Sequence, residues 1–91
     1  MSMEAAAIRS KIKEIISNVT NIPVEEIGDR ASFRDDLDLD SLSLLEIGVD
    51  VDYAFKLGLP EEQIQEIQTV QDTVDLVLKC LGERLAHAEV A

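Results

Sequence analysis

Aliphatic residues recur at helical spacing near the start of this chain, and this periodicity constrains the fold more than any other feature. They fall at positions i, i+4, i+7, i+8 and i+11, which form one apolar stripe on a helix of 3.6 residues per turn. The stripe consists of Ile8, Ile12, Ile15, Ile16 and Val19. It predicts an amphipathic helix that begins near residues 2–4 and ends before Pro23, because proline disfavours helical geometry in the residue that precedes it.

Three later segments carry further helical signals. A second helix is predicted from residues 40–41 to about Lys56, closing at residues 57–58, and a short third one begins at residues 60–62. Thr69 is the predicted N-cap of the last helix, with Asp72 in the position of a capping box. The residues predicted to face the core from these last two helices are Ile64, Ile67, Val70, Val74, Val77, Leu78, Leu81 and Leu85.

Residues 24–39 have no sustained period and predict a long loop, which Phe33 and Leu37 pin to the core. Aromatic residues are only 3% of the chain, which favours an aliphatic helical bundle over a β-sandwich or barrel. We therefore predict one all-α domain over residues 1–91, a bundle of three principal helices and one short helix with a long first loop. Its core spans about residues 4–85, and residues 86–91 form a frayed tail.

The negative charge is concentrated in the middle of the chain. The net charge is −11, and residues 25–66 hold 13 acidic residues against Arg30, Arg34 and Lys56. This charge excludes nucleic acid and anionic membrane surfaces as partners, because both would be repelled. No run of 18 apolar residues is present to span a bilayer. The acidic segment is either a solvated surface or a face that steers basic partners.

The second helix carries two apolar stripes on nearly opposite sides. Leu44, Ile47, Val51 and Phe55 form the better candidate for the core. The opposite stripe consists of Leu42, Leu45, Val49 and Tyr53, and it is bordered by Glu46, Asp50 and Asp52. Because unpaired carboxylates are costly to bury, we expect this second stripe to reach solvent as a docking surface. The alternative is that tail or loop residues cover Leu42 and Val49.

Without a family to compare, Ser41 is simply part of a helix cap, formed by Asp40 or by Ser41 itself. The sole histidine, His87, lies in the predicted tail with no Ser–His–Asp arrangement, so we do not expect an enzyme. The single Cys80 excludes an internal disulfide and a multi-cysteine zinc site.

A calcium loop is the other chemistry that the acidic residues suggest. Asp36, Asp38 and Asp40 stand at positions 1, 3 and 5 of such a loop. Ser41 replaces the glycine required at position 6, and Ile47 replaces the acid required at position 12. We therefore expect no metal site.

Asp40, Ser41 and Leu42 open a helix after the pattern Ser32-Phe33-x-x-Asp36-Leu37, and this series resembles the acyl carrier proteins of fatty acid and polyketide synthesis. The resemblance covers roughly residues 8–81. It continues through Glu46, Phe55, Leu59, Pro60, Ile67, Thr69, Val70, Asp72 and Val74. The expected fold is thus the four-helix bundle of the carrier proteins.

The resemblance implies that a phosphopantetheinyl transferase attaches 4′-phosphopantetheine to Ser41, and that acyl groups are carried on this arm as thioesters. The chain would then be a substrate of partner enzymes rather than an enzyme. The implied partner-binding residues are Asp36, Asp38, Asp40, Leu42, Glu46, Val49 and Asp50. They would meet basic docking patches on acyl-transfer and biosynthetic enzymes, and we expect a cytoplasmic monomer.

Two other functions stay open: an aminoacyl or peptidyl carrier, and a small acidic helical adaptor without a prosthetic group. Several residues also depart from the pattern of the family. Asp50, Asp52 and Tyr53 stand where the family is often rich in glutamate. Asp38 replaces a common glycine, and Gly48 lies in mid-helix, where glycine costs roughly 1 kcal/mol relative to alanine. These departures favour a pathway-specific carrier over a housekeeping one.

Overall fold

The computed structural model describes the backbone of residues 5–90 and the side chains of residues 5–82. The chain forms four α-helices, namely α1 (Ala5–Thr20), α2 (Ser41–Phe55), α3 (Glu61–Gln65) and α4 (Val70–Val90). A 3₁₀ turn at Val24–Glu26 interrupts the first loop. The predicted all-α bundle of three principal helices and one short helix is confirmed. No helix within the described residues is long and apolar enough to cross a membrane.

Helix α1 is the centre of the bundle, because it packs against both α4 and α2. Four of its predicted core residues are buried, and Val19 packs against them from a half-buried position. The buried four are Ile8, Ile12, Ile15 and Ile16. Burial of an aliphatic side chain contributes about 1.5–3 kcal/mol, so this stripe is a main source of stability.

Helix α4 begins at the predicted capping box. The amide of Asp72 donates to the Thr69 hydroxyl at 3.0 Å, and the amide of Thr69 donates to the Asp72 carboxylate at 3.2 Å. The prediction that Leu78 is in the core is wrong, because it is 37% exposed. Thr73 is buried instead, and its hydroxyl is satisfied by donating to the Thr69 carbonyl.

The other core predictions for α4 have three different outcomes. Val70, Val74 and Val77 are fully buried, as predicted, whereas Leu81 is only half-buried. The side chain of Leu85 lies outside the described residues, and so do all side chains from residue 83 onward. The frayed tail at residues 86–91 therefore stays a prediction, as do the domain limits.

The first loop is tied to the bundle by apolar anchors and by the start of α4. Phe33 is 1% exposed and Leu37 is half-buried, as predicted, and Ile27 and Ala31 are two further buried anchors. The amide of Phe33 donates to the Gln68 carbonyl at 2.9 Å, and the amide of Val70 donates to the Ala31 carbonyl at 3.0 Å. These hydrogen bonds fix the middle of the loop, and the amide of Leu39 donates to the Phe33 carbonyl at 2.9 Å, which ties the residues just before α2 to it.

Helix α2 ends at Phe55 with Lys56 as its C-cap, close to the predicted end. Lys56 adopts a left-handed conformation with φ 54°, and the chain turns again at Gly58 with φ 71°. The residue that reverses the helix is thus a lysine, although the predicted closing position was residues 57–58. Pro60 then precedes α3, which packs on α2.

Candidate functional site at the start of helix α2

Ser41 is the first residue of α2, and it is exposed. The helix is capped by Asp40, whose carboxylate accepts a hydrogen bond from the Ser43 amide at 2.8 Å. Of the two possible caps, Asp40 is therefore the one in use. The Ser41 hydroxyl accepts a hydrogen bond from Nη2 of Arg34 at 3.2 Å. Because Asp40 supplies the cap, the helix does not need the Ser41 hydroxyl, which is available for modification.

The loop before Ser41 is held by its own polar groups. The Asp36 carboxylate accepts from the Ser32 amide at 2.7 Å, and the Ser32 hydroxyl accepts from the Asp35 amide at 3.1 Å. Asp38, which stands where the carrier-protein pattern commonly has glycine, adopts the left-handed φ of 54°. Aspartate tolerates this conformation better than most residues, because its short polar side chain can form local hydrogen bonds.

An open groove of about 550 Å³ lies beside Ser41, between the start of α2 and α3. Its lining is mostly aliphatic. The lining residues are Arg34, Ser41, Leu42, Leu44, Leu45, Ile64 and Gln65. A second groove of about 370 Å³ shares Arg34, Leu44 and Gln65 with the first and extends along the loop to Phe33. The Ser41 hydroxyl therefore faces a surface that can accommodate an attached group.

Two carboxylates of the first loop, those of Asp40 and Asp29, are stabilised in their charged form. The hydrogen bond from the Ser43 amide lowers the pKa of Asp40 below 3.8. The hydrogen bond and the positive charge of Lys13 lower the pKa of Asp29 below 3.8, with a smaller contribution from the charge of Arg9. Arg9 also donates to the Asp29 carbonyl at 3.0 Å. The basic side chains of α1 thereby hold the loop at Asp29.

All the residues proposed to bind partners are exposed. They are Asp36, Asp38, Asp40, Leu42, Glu46, Val49 and Asp50. Leu42 is 64% exposed and Val49 is 50% exposed, so the residues of the first loop do not cover them. Tyr53, on the same stripe, is 85% exposed. Leu45 departs from this stripe, because it is half-buried and lines the groove.

The acidic residues of the loop are not arranged around a common point. Asp36 and Asp40 each accept a hydrogen bond from a backbone amide. Within the described part of the chain, no three histidine, cysteine, aspartate or glutamate side chains come close enough together to hold a metal ion.

Sequence reasoning missed Arg34 and the residues that α3 contributes to the groove, Ile64 and Gln65. Arg34 is seven residues from Ser41 with no periodic element between them, so only the folded loop brings the two together. The available signal was compositional: Arg34 is one of three basic residues in the most acidic part of the chain.

Comparison with known proteins places this geometry in a family. The family model described as the phosphopantetheine attachment site matches residues 10–77. An acyl carrier protein of Thermobifida fusca (strain YX) is 35% identical over 79 residues, which are 87% of this chain and 100% of that protein. The meromycolate extension acyl carrier protein of Mycobacterium leprae (strain TN) is 38% identical over 89 residues, which are 98% of this chain and 77% of that protein.

A solved structure agrees with these sequence matches. The solution structure of the apo doublet acyl carrier protein from prodigiosin biosynthesis superimposes with a TM-score of 0.75 at 28% identity. The match covers 87% of this chain and 38% of that longer chain. The matched relatives are carrier proteins rather than enzymes. This chain therefore belongs to the acyl carrier protein family, whose prosthetic group is a covalently attached 4′-phosphopantetheine.

Proposed function

We propose that this chain carries acyl groups as thioesters on a 4′-phosphopantetheine arm attached to Ser41, and that it delivers them to enzymes of fatty acid, polyketide or related biosynthesis. The observation that carries this proposal is the exposed Ser41 hydroxyl at the first residue of α2, within the residues 10–77 that match the family model. A separate enzyme must reach the hydroxyl, so exposure is required. Because Asp40 supplies the cap, modification of Ser41 removes no cap from the helix.

The residues around Ser41 fit an attached phosphate ester. Arg34 offers a positive charge within hydrogen-bonding distance of Oγ, and the adjacent groove offers aliphatic and polar surface for the arm. In the attachment reaction Ser41 Oγ bonds to phosphorus as the pyrophosphate bond of coenzyme A breaks. Adenosine 3′,5′-bisphosphate leaves, and the hydroxyl proton passes to a base of the transferase.

The attached arm supplies the thiol that holds the acyl group, so the acyl chemistry belongs to the arm and to partner enzymes. The part played by this chain is to present Ser41 and to be recognised. We define the outward face of α2 as Leu42, Glu46, Val49 and Asp50, and propose it as the docking surface. Its exposed aliphatic side chains can bury area against a partner, and its carboxylates can steer basic patches of a transferase or biosynthetic enzyme.

The test is the intact mass of the protein after incubation with coenzyme A and a phosphopantetheinyl transferase of broad specificity. The wild type should gain one phosphopantetheine, and Ser41→Ala should gain none. Ser43→Ala is the matched control, because Ser43 lies two residues further along the same helix but is half-buried. It should be modified like the wild type.

Thermal unfolding of all three proteins checks that each is folded. Modification of Ser41→Ala would mean that another residue is the attachment site. A folded wild type that is not modified would contradict the carrier function and would favour the adaptor that needs no prosthetic group.

A further inference from the structure

Arg34 has a position that its acidic surroundings do not explain. It lies beside Asp35 and Asp36 in the most acidic part of the chain. Among the side chains of residues 5–82, however, Arg34 takes part in no ion pair, whereas Lys13 pairs with Asp29. Its guanidinium instead donates to a neutral hydroxyl, Ser41 Oγ, at 3.2 Å. The positively charged guanidinium of Arg34 therefore lies next to the atom that we propose as the attachment point.

The start of α2 has little else to offer a phosphate on Ser41. Helix N-termini bind anions through their first amide groups. Here the Asp40 carboxylate already accepts a hydrogen bond from the Ser43 amide, and it places a negative charge next to Ser41. A phosphodiester on Oγ would therefore meet a carboxylate at the helix start. Arg34 is the basic residue among those that line the two grooves at this site.

We propose that Arg34 binds the phosphodiester of the prosthetic group, and so offsets the charge that attachment adds to the acidic loop. This inference rests on the proposed function, because it requires that Ser41 carries the group. A guanidinium presents two parallel N–H donors that match two oxygens of a phosphate, whereas an ammonium acts as a point charge. Arginine at this position should therefore bind the phosphodiester more strongly than lysine would, and lysine more strongly than glutamine would.

The experiment compares the apo and phosphopantetheine-loaded forms of the wild type, Arg34→Gln and Arg30→Gln. Arg30 is the matched control, because it is an exposed arginine of the same loop that lines neither groove. Both substitutions remove one positive charge. Loading is checked by intact mass, and the readout is the change in Tm between the apo and loaded forms.

Loading should lower the Tm of Arg34→Gln by about 3 °C more than it lowers that of the wild type, as expected for a partly exposed charged hydrogen bond in a domain of this size. Arg30→Gln should respond like the wild type, and Arg34→Lys should fall between the two. The difference should shrink at high salt, which screens exposed charges. Equal responses of Arg34→Gln and Arg30→Gln would overturn the proposal, because they would reduce Arg34 to one charge among several.

NMR of the wild-type protein gives a second measurement that needs no substitution. The guanidinium resonances of Arg34 should shift on loading, and those of Arg30 should not. Unchanged Arg34 resonances in a protein shown by mass to be loaded would overturn the proposal even if Arg34→Gln could not be loaded. A wild type that cannot be loaded at all would instead refute the attachment to Ser41.

Discussion

The two faces of α2 are both apolar, yet they meet opposite environments. On the inward face, which we define as Ile47, Gly48, Val51 and Phe55, every residue is buried. Leu44, which the sequence also predicts for this face, is only half-buried and lines the groove. On the outward face Leu42 is 64% exposed and Val49 is 50% exposed, and the acidic residues between them are also exposed. The two faces differ because carboxylates lie beside the aliphatic residues of the outward face only, and a carboxylate cannot be buried unpaired without a large cost.

The comparison also shows that the two faces depend on different properties of their residues. The inward face requires close fit: an ideal Cβ on Gly48 would lie 2.1 Å from Cγ2 of Ile64, so α3 packs directly on the backbone of α2. The residues of the outward face are exposed instead, and they are expected to act on partners. Stability and recognition can therefore be changed separately on one helix.

The largest effect is expected from Gly48→Ala, which should destabilise the protein by about 1–3 kcal/mol, because the added methyl group overpacks the contact with Ile64. Cγ2 lies on the branched Cβ of Ile64, so it cannot swing away as the end of a long side chain would. Helix propensity alone predicts the opposite sign, a gain of roughly 1 kcal/mol. Urea denaturation gives the free energy of unfolding that decides between the two.

Gly82→Ala is the control for this prediction. Gly82 is also helical, but a Cβ there would meet nothing within 4 Å. This variant should therefore gain up to about 1 kcal/mol from propensity. In addition, the effect of Gly48→Ala should be smaller in an Ile64→Ala background, where the methyl group has room. A stabilised Gly48→Ala would show that α3 does not pack closely on α2.

Local patterns were enough to predict most of the fold. The stripe of α1 and the capping box at Thr69 depend on residues within a few positions of each other, and both were predicted correctly. Gly48 was interpreted as a cost to the helix, because its partner Ile64 lies on another element. The prediction for Leu78 was wrong for a similar reason, because the burial of a residue on α4 depends on the other elements around that helix. Thr73 is buried there, whereas Leu78 is exposed.

The site was predictable in one part and not in another. Ser41 and the outward face follow from the sequence, because they belong to one helix and to a known pattern. Arg34 does not, since its approach to Ser41 depends on an aperiodic loop that Phe33 and Ile27 anchor to the core. Side chains that an irregular loop brings together have no spacing rule from which they could be found.

The second prediction concerns the outward face and should appear in recognition rather than in stability. Val49→Asp and Glu46→Lys should each lower kcat/KM for modification by the transferase about tenfold, equivalent to about 1.4 kcal/mol of lost interaction. The first removes exposed apolar surface, and the second reverses a steering charge. Both residues are exposed, so the Tm should change little.

Matched controls for this prediction lie on the 3₁₀ turn of the first loop. Val24 is 38% exposed, and Glu25 beside it is exposed as well. Val24→Asp and Glu25→Lys therefore make the same chemical changes away from α2, and they should leave kcat/KM within about twofold. Equal losses in both pairs would mean that overall charge governs recognition, and that the outward face has no special part in it.

The smallest effect concerns Asp40, at the start of the helix from which both faces extend. The Ser43 amide holds the pKa of Asp40 below 3.8, so the charged carboxylate is favoured in the folded state. A lowered pKa contributes stability that is present above the unfolded value of about 3.8 and is lost as the pH falls through the folded value. Asp40→Asn keeps an oxygen that can cap the helix but does not titrate in this range.

The Tm difference between the wild type and Asp40→Asn should therefore be constant from pH 7 to about pH 5, and it should decline as the pH falls below 3.8. Subtraction of the two curves removes the titration of the other acids as long as they act independently. Asp40→Ala should be less stable than Asp40→Asn throughout, since it has no capping oxygen. A difference that does not change down to pH 2 would show that the Ser43 amide does not favour the charged carboxylate.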